Sequence, residues 1–290
     1  MDILSPKTDI IFKLIFGDPK NKNILTDFLE SVLDLSADEY EDITIVDPHL
    51  TREYPDDKLG ILDVKLTTKS GKVIDIEVQV LSVPEMRSRI TYYLSNMITE
   101  QLASGDSYYN LKRAICIVIV DFPLIEETDK YHSVFEMLEK DEHFPFNDLM
   151  EINILDLTRI PKDKDSRLLG WMRFMKASRK EEFEMAAVNN AVIGEAYAKL
   201  KVLSDSEANR MLYESRLKAQ RDEISRIEGA LAEGRVEGRA EGEVIGVAKG
   251  EEMGFSKVIC SMLDKGLDAA TIASYTNIPV AVIEEIAEKR

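Results

Sequence analysis

Three polar residues around a predicted β-hairpin have the side-chain types and spacing to serve a divalent cation. Asp63 lies on the first strand, and Glu77 and Gln79 lie on the second. Apolar and polar residues alternate on both sides of the turn signal Ser70-Gly71. This alternation predicts two antiparallel strands with one face on a core and the other face open.

Residue parity then predicts how the two strands pair. All apolar side chains share one face only if the numbers of paired residues add to an even value, and a three-residue loop at 69–71 satisfies this condition. Asp63 is then opposite Glu77, and Lys65 is opposite Asp75. Two opposed carboxylates on an exposed face repel each other, whereas a bound divalent cation makes the arrangement attractive.

The segments LSPKTDIIFKLIFG, LGILDVK and IEVQV contain or flank these residues. Together they resemble the recombination-promoting nuclease and transposase family of bacteria, within the PD-(D/E)XK nuclease superfamily, in the variant that ends in Gln instead of Lys. The resemblance spans roughly the whole chain. It implies a mixed sheet flanked by helices, an endonuclease activity on DNA, and a Mg²⁺ cofactor, with Mn²⁺ or Ca²⁺ as alternatives.

The resemblance also implies roles for individual residues. Asp63 and Glu77 are expected to hold the metal, which polarises the scissile phosphate and generates a hydroxide from bound water. Gln79 can hydrogen-bond this water but brings no positive charge, so either the activity is slow or Lys65 substitutes in part from the facing strand. Asp9 matches the acid that the first helix of such nucleases adds to the metal site; the alternative is an acid near the positive end of a helix dipole.

Periodicity predicts the remaining elements of an α/β fold. Helices are expected at 6–16, with Ser5 as the N-cap, at 22–33 and at 84–103. Strands are expected at 43–47, 114–120, 131–138 and 150–157. The run at 114–120 is continuously apolar, as in a strand buried on both faces. Strand, helix and buried strand form a right-handed crossover, so this strand should be parallel to the strand of Glu77.

Two arginines at the start of the predicted helix 84–103 are candidate phosphate contacts. Arg87 and Arg89 follow the strand that carries the carboxylates, and with Lys65 they form the predicted nucleic-acid-binding set. The alternative is a solvated helix surface.

Strand patterns end near residue 160, which gives four predicted segments. They are a nuclease domain at 1–160, a helical extension at 161–228, a Gly-rich repeat or linker at 229–255, and a small helical segment at 256–290. In the repeat, glycine recurs at every fourth position from Gly234 to Gly254. Glycine costs about 1 kcal/mol per helical position relative to alanine, so the repeat is expected to be a marginal helix or a flexible linker.

Composition limits the function further. The formal net charge of −17 opposes long-range attraction of DNA, although a metal site and local cations can still bind it. The two cysteines do not form a disulfide framework, and the longest apolar run is too short for a bilayer, so a cytoplasmic protein without membrane contact is expected. The second candidate function is a weakly active or inactive nuclease fold that serves as a binding or assembly module, with homo-oligomers formed through the C-terminal helices.

Overall fold

The computed structural model describes residues 3–46, 64–83 and 85–289. The chain forms two compact units, Met1–Asp222 and Glu223–Arg290. Helix α7 (Glu207–Asp264) contributes residues to both.

The first unit contains a mixed sheet of six strands within the described residues, in the order β1-β2-β3-β4-β6-β5. Strands β3, β4 and β6 are parallel to one another, and the other neighbouring pairs are antiparallel. The prediction that β4 is parallel to the strand of Glu77 is therefore confirmed. The strands are β1 (Thr44–Val46), β2 (Val64–Thr67), β3 (Val73–Gln79), β4 (Ala114–Val120), β5 (His132–Glu136) and β6 (Met150–Asp156).

Among the described residues, five helices place buried side chains in one hydrophobic core with one face of the sheet. They are α1 (Asp9–Phe16), α2 (Lys22–Val32), α4 (Arg167–Lys176), α5 (Lys180–Ala187) and α6 (Ala191–Asp205). Trp171 of α4 is fully buried and makes edge contacts with Phe16 and Phe28, at centroid distances of 5.5 Å and 6.0 Å. The segment at 161–205 is thus part of the same core as α1 and α2.

Helix α3 (Met86–Thr99) covers the opposite face of the sheet. Its buried stripe of Met86, Ile90, Leu94 and Met97 packs on alternate residues of β4, among them Cys116 and Val118. Every residue of β4 is buried because helices cover both of its faces.

The first helix starts later than the sequence pattern predicts. Ser5 and Pro6 form a turn in which the Thr8 amide donates to the Ser5 carbonyl at 3.2 Å, and Thr8 is the extended N-cap residue. The prediction of a helix from Pro6 is wrong because the Ser-Pro signal is used for a turn instead. Asp9 is consequently the first residue of α1.

The second unit has a small core of its own. Ile259, Ile272 and Ile283, from α7, α8 (Ala269–Thr276) and α9 (Val280–Glu288), are buried together. The glycines of the period-four repeat lie inside α7, and their surroundings are open. Among the described residues, none of the helices combines the length and the apolar character needed to cross a bilayer.

Candidate functional site

The hairpin β2–β3 pairs as residue parity predicts. Lys65 is opposite Asp75 and Val64 is opposite Ile76. The Thr68 amide donates to Lys72 O at 3.0 Å, which extends the pairing by one residue on each side and leaves the expected three residues in the loop. Gly71 in this loop has a φ of +88°, a conformation that glycine adopts without a steric penalty. Asp63 directly precedes Val64 but lies outside the described residues.

On β3 the polar face of the hairpin is buried at Asp75 and Glu77, whereas Lys65 on β2 is half-buried. Asp75 is 2% exposed and Glu77 is 1% exposed. Both side chains share a face with Cys116 and Val118, their neighbours on β4, and this face lies under α3. The prediction of an open face is wrong because the crossover helix folds back over it, which alternation within a strand cannot reveal.

Burial and a neighbouring negative charge change the acidity of Asp75. The pKa of Asp75 is raised to about 7, mainly because the carboxyl group is buried and also because Glu77 repels its charge, while the positive charge of Lys65 opposes the rise. Gln79 completes the row on this face of β3, where its Nε2 donates to Glu77 Oε2 at 3.4 Å. Two acids, an amide and a cation therefore occupy one region of the hairpin.

The two arginines of α3 have different surroundings. Arg87 donates to Leu124 O at 2.9 Å and forms a bidentate pair with Glu127, at 2.8 Å and 2.7 Å. This side of α3 lines a groove with Ile152 and Ile154 of β6. The guanidinium of Arg87 is therefore already fully engaged.

Arg89 lies on the other flank of α3. At about 100° per residue it is roughly 200° around the helix from Arg87. Since β6 and β3 lie on opposite sides of β4, this flank points toward β3. The guanidinium carbon of Arg89 lies 5.3 Å from the centroid of the Tyr93 ring. Its buried Nε has no hydrogen-bond partner among the described residues.

Asp9 is held by two contacts. Its Oδ1 accepts from the Ile10 amide at 2.7 Å, and its Oδ2 accepts from Arg216 Nε at 2.5 Å. Within the described part of the chain, no three side chains of His, Cys, Asp or Glu form a group that could hold a metal. The structure thus brings Glu77, Gln79, Lys65 and Asp75 together, whereas Asp9 is paired with α7.

Glu39 is a residue that sequence analysis did not identify. It accepts from Thr68 Oγ1 at 2.7 Å, from the Ser70 amide at 3.2 Å and from Ser70 Oγ at 2.9 Å, and it also pairs with Lys72. These contacts fix the loop between β2 and β3. Nothing in the local pattern around Glu39 signals them, because the partners are about 30 residues away.

A mixed sheet whose β3 carries Glu-x-Gln beneath a crossover helix defines a PD-(D/E)XK-like nuclease fold. The family model described as "PD-(D/E)XK nuclease family transposase" matches residues 6–230. The chain belongs to this family. No curated protein and no solved structure matches the chain.

Proposed function

We propose that this protein is a metal-dependent DNA endonuclease that hydrolyses phosphodiester bonds. The observation that carries the proposal is the buried acidic pair of β3, which lies beneath α3 in a chain that belongs to a nuclease family. A fold selected for stability alone has no reason to bury two carboxylates two residues apart on one strand face, because each loses hydration and both repel.

The donor set fits a divalent cation such as Mg²⁺ or Mn²⁺, which prefer oxygen ligands. Glu77 supplies one carboxylate from β3. We assign the second carboxylate to Asp63 on the basis of the sequence. Asp63 precedes Val64 in the chain, and Val64 pairs with Ile76, which precedes Glu77. When bound, the cation supplies Lewis acidity toward a phosphoryl oxygen and lowers the pKa of a bound water.

The remaining residues act on the substrate and on the attacking water. Gln79 is positioned beside Glu77, where its amide can orient the water. Gln79 brings no charge, so another side chain must supply the positive charge that a lysine usually provides at this position in the superfamily. Lys65 lies opposite Asp75 on the facing strand and supplies this charge in the proposal.

Arg89 is the arginine best suited to a phosphate contact. It lies on the β3 side of α3, and the buried Nε lacks a partner among the described residues. Arg87 would have to release its bidentate pair with Glu127 first. We therefore assign the DNA backbone contact to Arg89 and Lys65 ahead of Arg87. Such local cations offset the net charge of −17 at short range only.

Asp9 enters the proposal as an outer carboxylate. Both of its oxygens already accept hydrogen bonds, from Ile10 and Arg216. A direct place in the metal coordination would require the pair with Arg216 to open. Its position at the start of α1 is also favourable for an acid near the helix N-terminus.

A second candidate function is an assembly module, and one observation favours it. The unit Glu223–Arg290 has its own core, yet Phe255, Val258 and Tyr275 are exposed on it. Exposed apolar side chains of this kind suit contact with a further protein, including a second copy of the chain. This function is compatible with an active nuclease, and it would be the sole function if the nuclease were inactive.

Plasmid cleavage tests the proposal. The wild type is expected to nick supercoiled DNA with Mg²⁺ and not with EDTA. Asp63→Ala and Glu77→Ala are each expected to abolish cleavage while the circular dichroism spectrum is retained. Glu142→Ala, at an exposed carboxylate, is the matched control and should cleave normally. Retained cleavage in either site variant would refute the assignment, and a wild type inactive on all DNA forms would favour the assembly module.

A further inference from the structure

Asp75, the first of the two acids of β3, has no described contact that explains why a carboxylate is buried at this position. Asp75 is 2% exposed, and its Oδ1 is buried without a hydrogen-bond partner among the described residues. Buried carboxylate oxygens in folded proteins are nearly always hydrogen-bonded. Asp156 is another buried acid on the same face of the sheet, and both of its oxygens have a polar neighbour. Its Oδ1 accepts from the Thr158 amide at 2.8 Å and from Thr158 Oγ1 at 2.6 Å, and its Oδ2, although it accepts no hydrogen bond among the described residues, lies 3.2 Å from Arg159 Nε in an ion pair.

The charges around Asp75 do not balance. Asp75 and Glu77 point to the same face of β3, and Lys65 is directly across the ladder from Asp75. The neighbours of this pair on β4 are Cys116 and Val118, which pack under α3. Among the residues that the structure describes, Lys65 is the cation directly opposite Asp75, so one ammonium group on the ladder accompanies two carboxylates that lie against apolar neighbours. A further positive charge at this position would satisfy the free Oδ1 and relieve the repulsion at once.

We propose that Asp75 is a ligand of the divalent cation, so that it and Glu77 together supply two carboxylates from β3. The inference rests on the proposed function, to which it adds Asp75 as a second metal-binding acid on β3 beside Glu77. The class of ligand is a hard divalent cation, Mg²⁺ or Mn²⁺, because carboxylate oxygens dominate the available donors. Asp75, Glu77 and Gln79 are alternate residues of β3. In this arrangement Asp75 and Glu77 bind the cation, and Gln79 contacts the water.

A competing explanation assigns Asp75 to the fold alone. In that case Lys65 compensates the charge of Asp75, and the carboxylate serves only to hold the hairpin together. The two explanations predict opposite effects of removing the charge in the metal-free protein. If Asp75 is only a structural hydrogen-bond acceptor, its replacement should lower the stability of the metal-free protein. If Asp75 is a metal ligand, its charge is a source of repulsion when the cation is absent, so its replacement should leave the stability unchanged or raise it.

The test measures Mn²⁺ binding to the full chain by isothermal titration calorimetry, together with metal-free thermal melts. Asp75→Asn is expected to raise the Kd for Mn²⁺ by roughly tenfold or more, since even loss of a residue that only supports a metal ligand has effects of this order. Its metal-free melting temperature should be equal to or above that of the wild type. Asp156→Asn is the matched control, and it should bind Mn²⁺ normally but melt at a lower temperature.

Asp75→Ser provides a second variant in case Asp75→Asn does not fold, and it should show the same loss of affinity. Unchanged Mn²⁺ affinity in a folded Asp75 variant overturns the inference, as does a lower metal-free melting temperature combined with normal affinity. If the wild type binds no Mn²⁺, or if Glu77→Gln binds it as well as the wild type does, the proposed function fails and takes this inference with it. If Glu77→Gln loses Mn²⁺ binding and the Asp75 variants retain it, the role of Asp75 as a ligand is refuted and the proposed function stands.

Discussion

The Glu39 anchor of the hairpin loop should make the stability of the fold depend on pH. Burial tends to raise the pKa of Glu39, but hydrogen bonds from Lys72, Thr68 and Ser70 outweigh this effect and lower the pKa from 4.5 to about 2. A lowered pKa means that the folded state favours the ionised carboxylate. Its contribution is therefore fully present above about pH 4.5 and is lost as the pH falls toward 2.

The magnitude follows from this change. At about 1.4 kcal/mol for each tenfold change in the ionisation constant, moving the pKa from 4.5 to about 2 corresponds to about 3 kcal/mol at pH 7. By pH 3 only about 1 kcal/mol of it should remain. Glu39→Gln removes the charge but keeps an acceptor for Ser70 and Thr68. For a unit of this size the variant should melt roughly 6 to 12 °C below the wild type at pH 7.

The assay is a series of thermal and urea melts of both proteins from pH 7 to pH 3. The difference between them should shrink steadily below pH 4.5. Glu41→Gln is the control, because the pair that Glu41 forms with Lys69 at 2.7 Å is exposed on both sides and should contribute little. A difference that stays constant across this range, or one no larger than that of Glu41→Gln, would refute the anchoring role of Glu39.

Three further changes test other parts of the molecule. Gln79→Lys restores the commoner motif residue, so plasmid cleavage with Mg²⁺ should stay measurable or increase. Complete loss of cleavage in a folded variant would show that Gln79 does not face the water. Asp27 accepts hydrogen bonds from Trp171 Nε1 (2.7 Å), Arg167 (2.5 Å) and Asn190 (2.9 Å). Asp27→Ala should therefore lower the free energy of unfolding, measured in urea, by roughly 3 to 5 kcal/mol. A loss below about 1 kcal/mol would contradict a stabilising role of Asp27. Truncation after Glu228 keeps Arg216 and should leave a folded core that Mg²⁺ still stabilises in thermal melts, whereas an insoluble product would show that the boundary is misplaced.

Much of the sheet was predictable because its determinants are local. The pairing of Lys65 with Asp75 follows from side-chain parity and loop length. The direction of β4 follows from the strand-helix-strand connection, because the helix returns the chain to the edge of the sheet where β3 begins. The starting residue of α1 was not predictable in this way, because Ser-Pro signals a turn as well as a helix start. The choice between them depends on contacts that Leu4 and Thr8 make after folding.

The candidate site was predictable in its residue types and not in its environment. Alternation along β3 indicates which side chains share a face, but it does not indicate whether α3 covers that face. The same limit applies to Asp9, whose partner Arg216 is 207 residues away in the sequence. It applies also to Trp171, whose burial joins α4 to α1 and α2. Long-range contacts of this kind leave no periodic signal in the chain.

The glycine repeat of α7 has a geometric consequence for any molecule that touches it. Four residues of an α-helix turn through about 400°, so each glycine from Gly234 to Gly254 is displaced by about 40° from the one before it. Across the repeat the glycines travel about 200° around the helix axis. A straight partner, such as a second helix parallel to α7, can contact two or three consecutive glycines before the next ones lie on another side of α7. Only a partner that winds around α7 with the same pitch could follow them all.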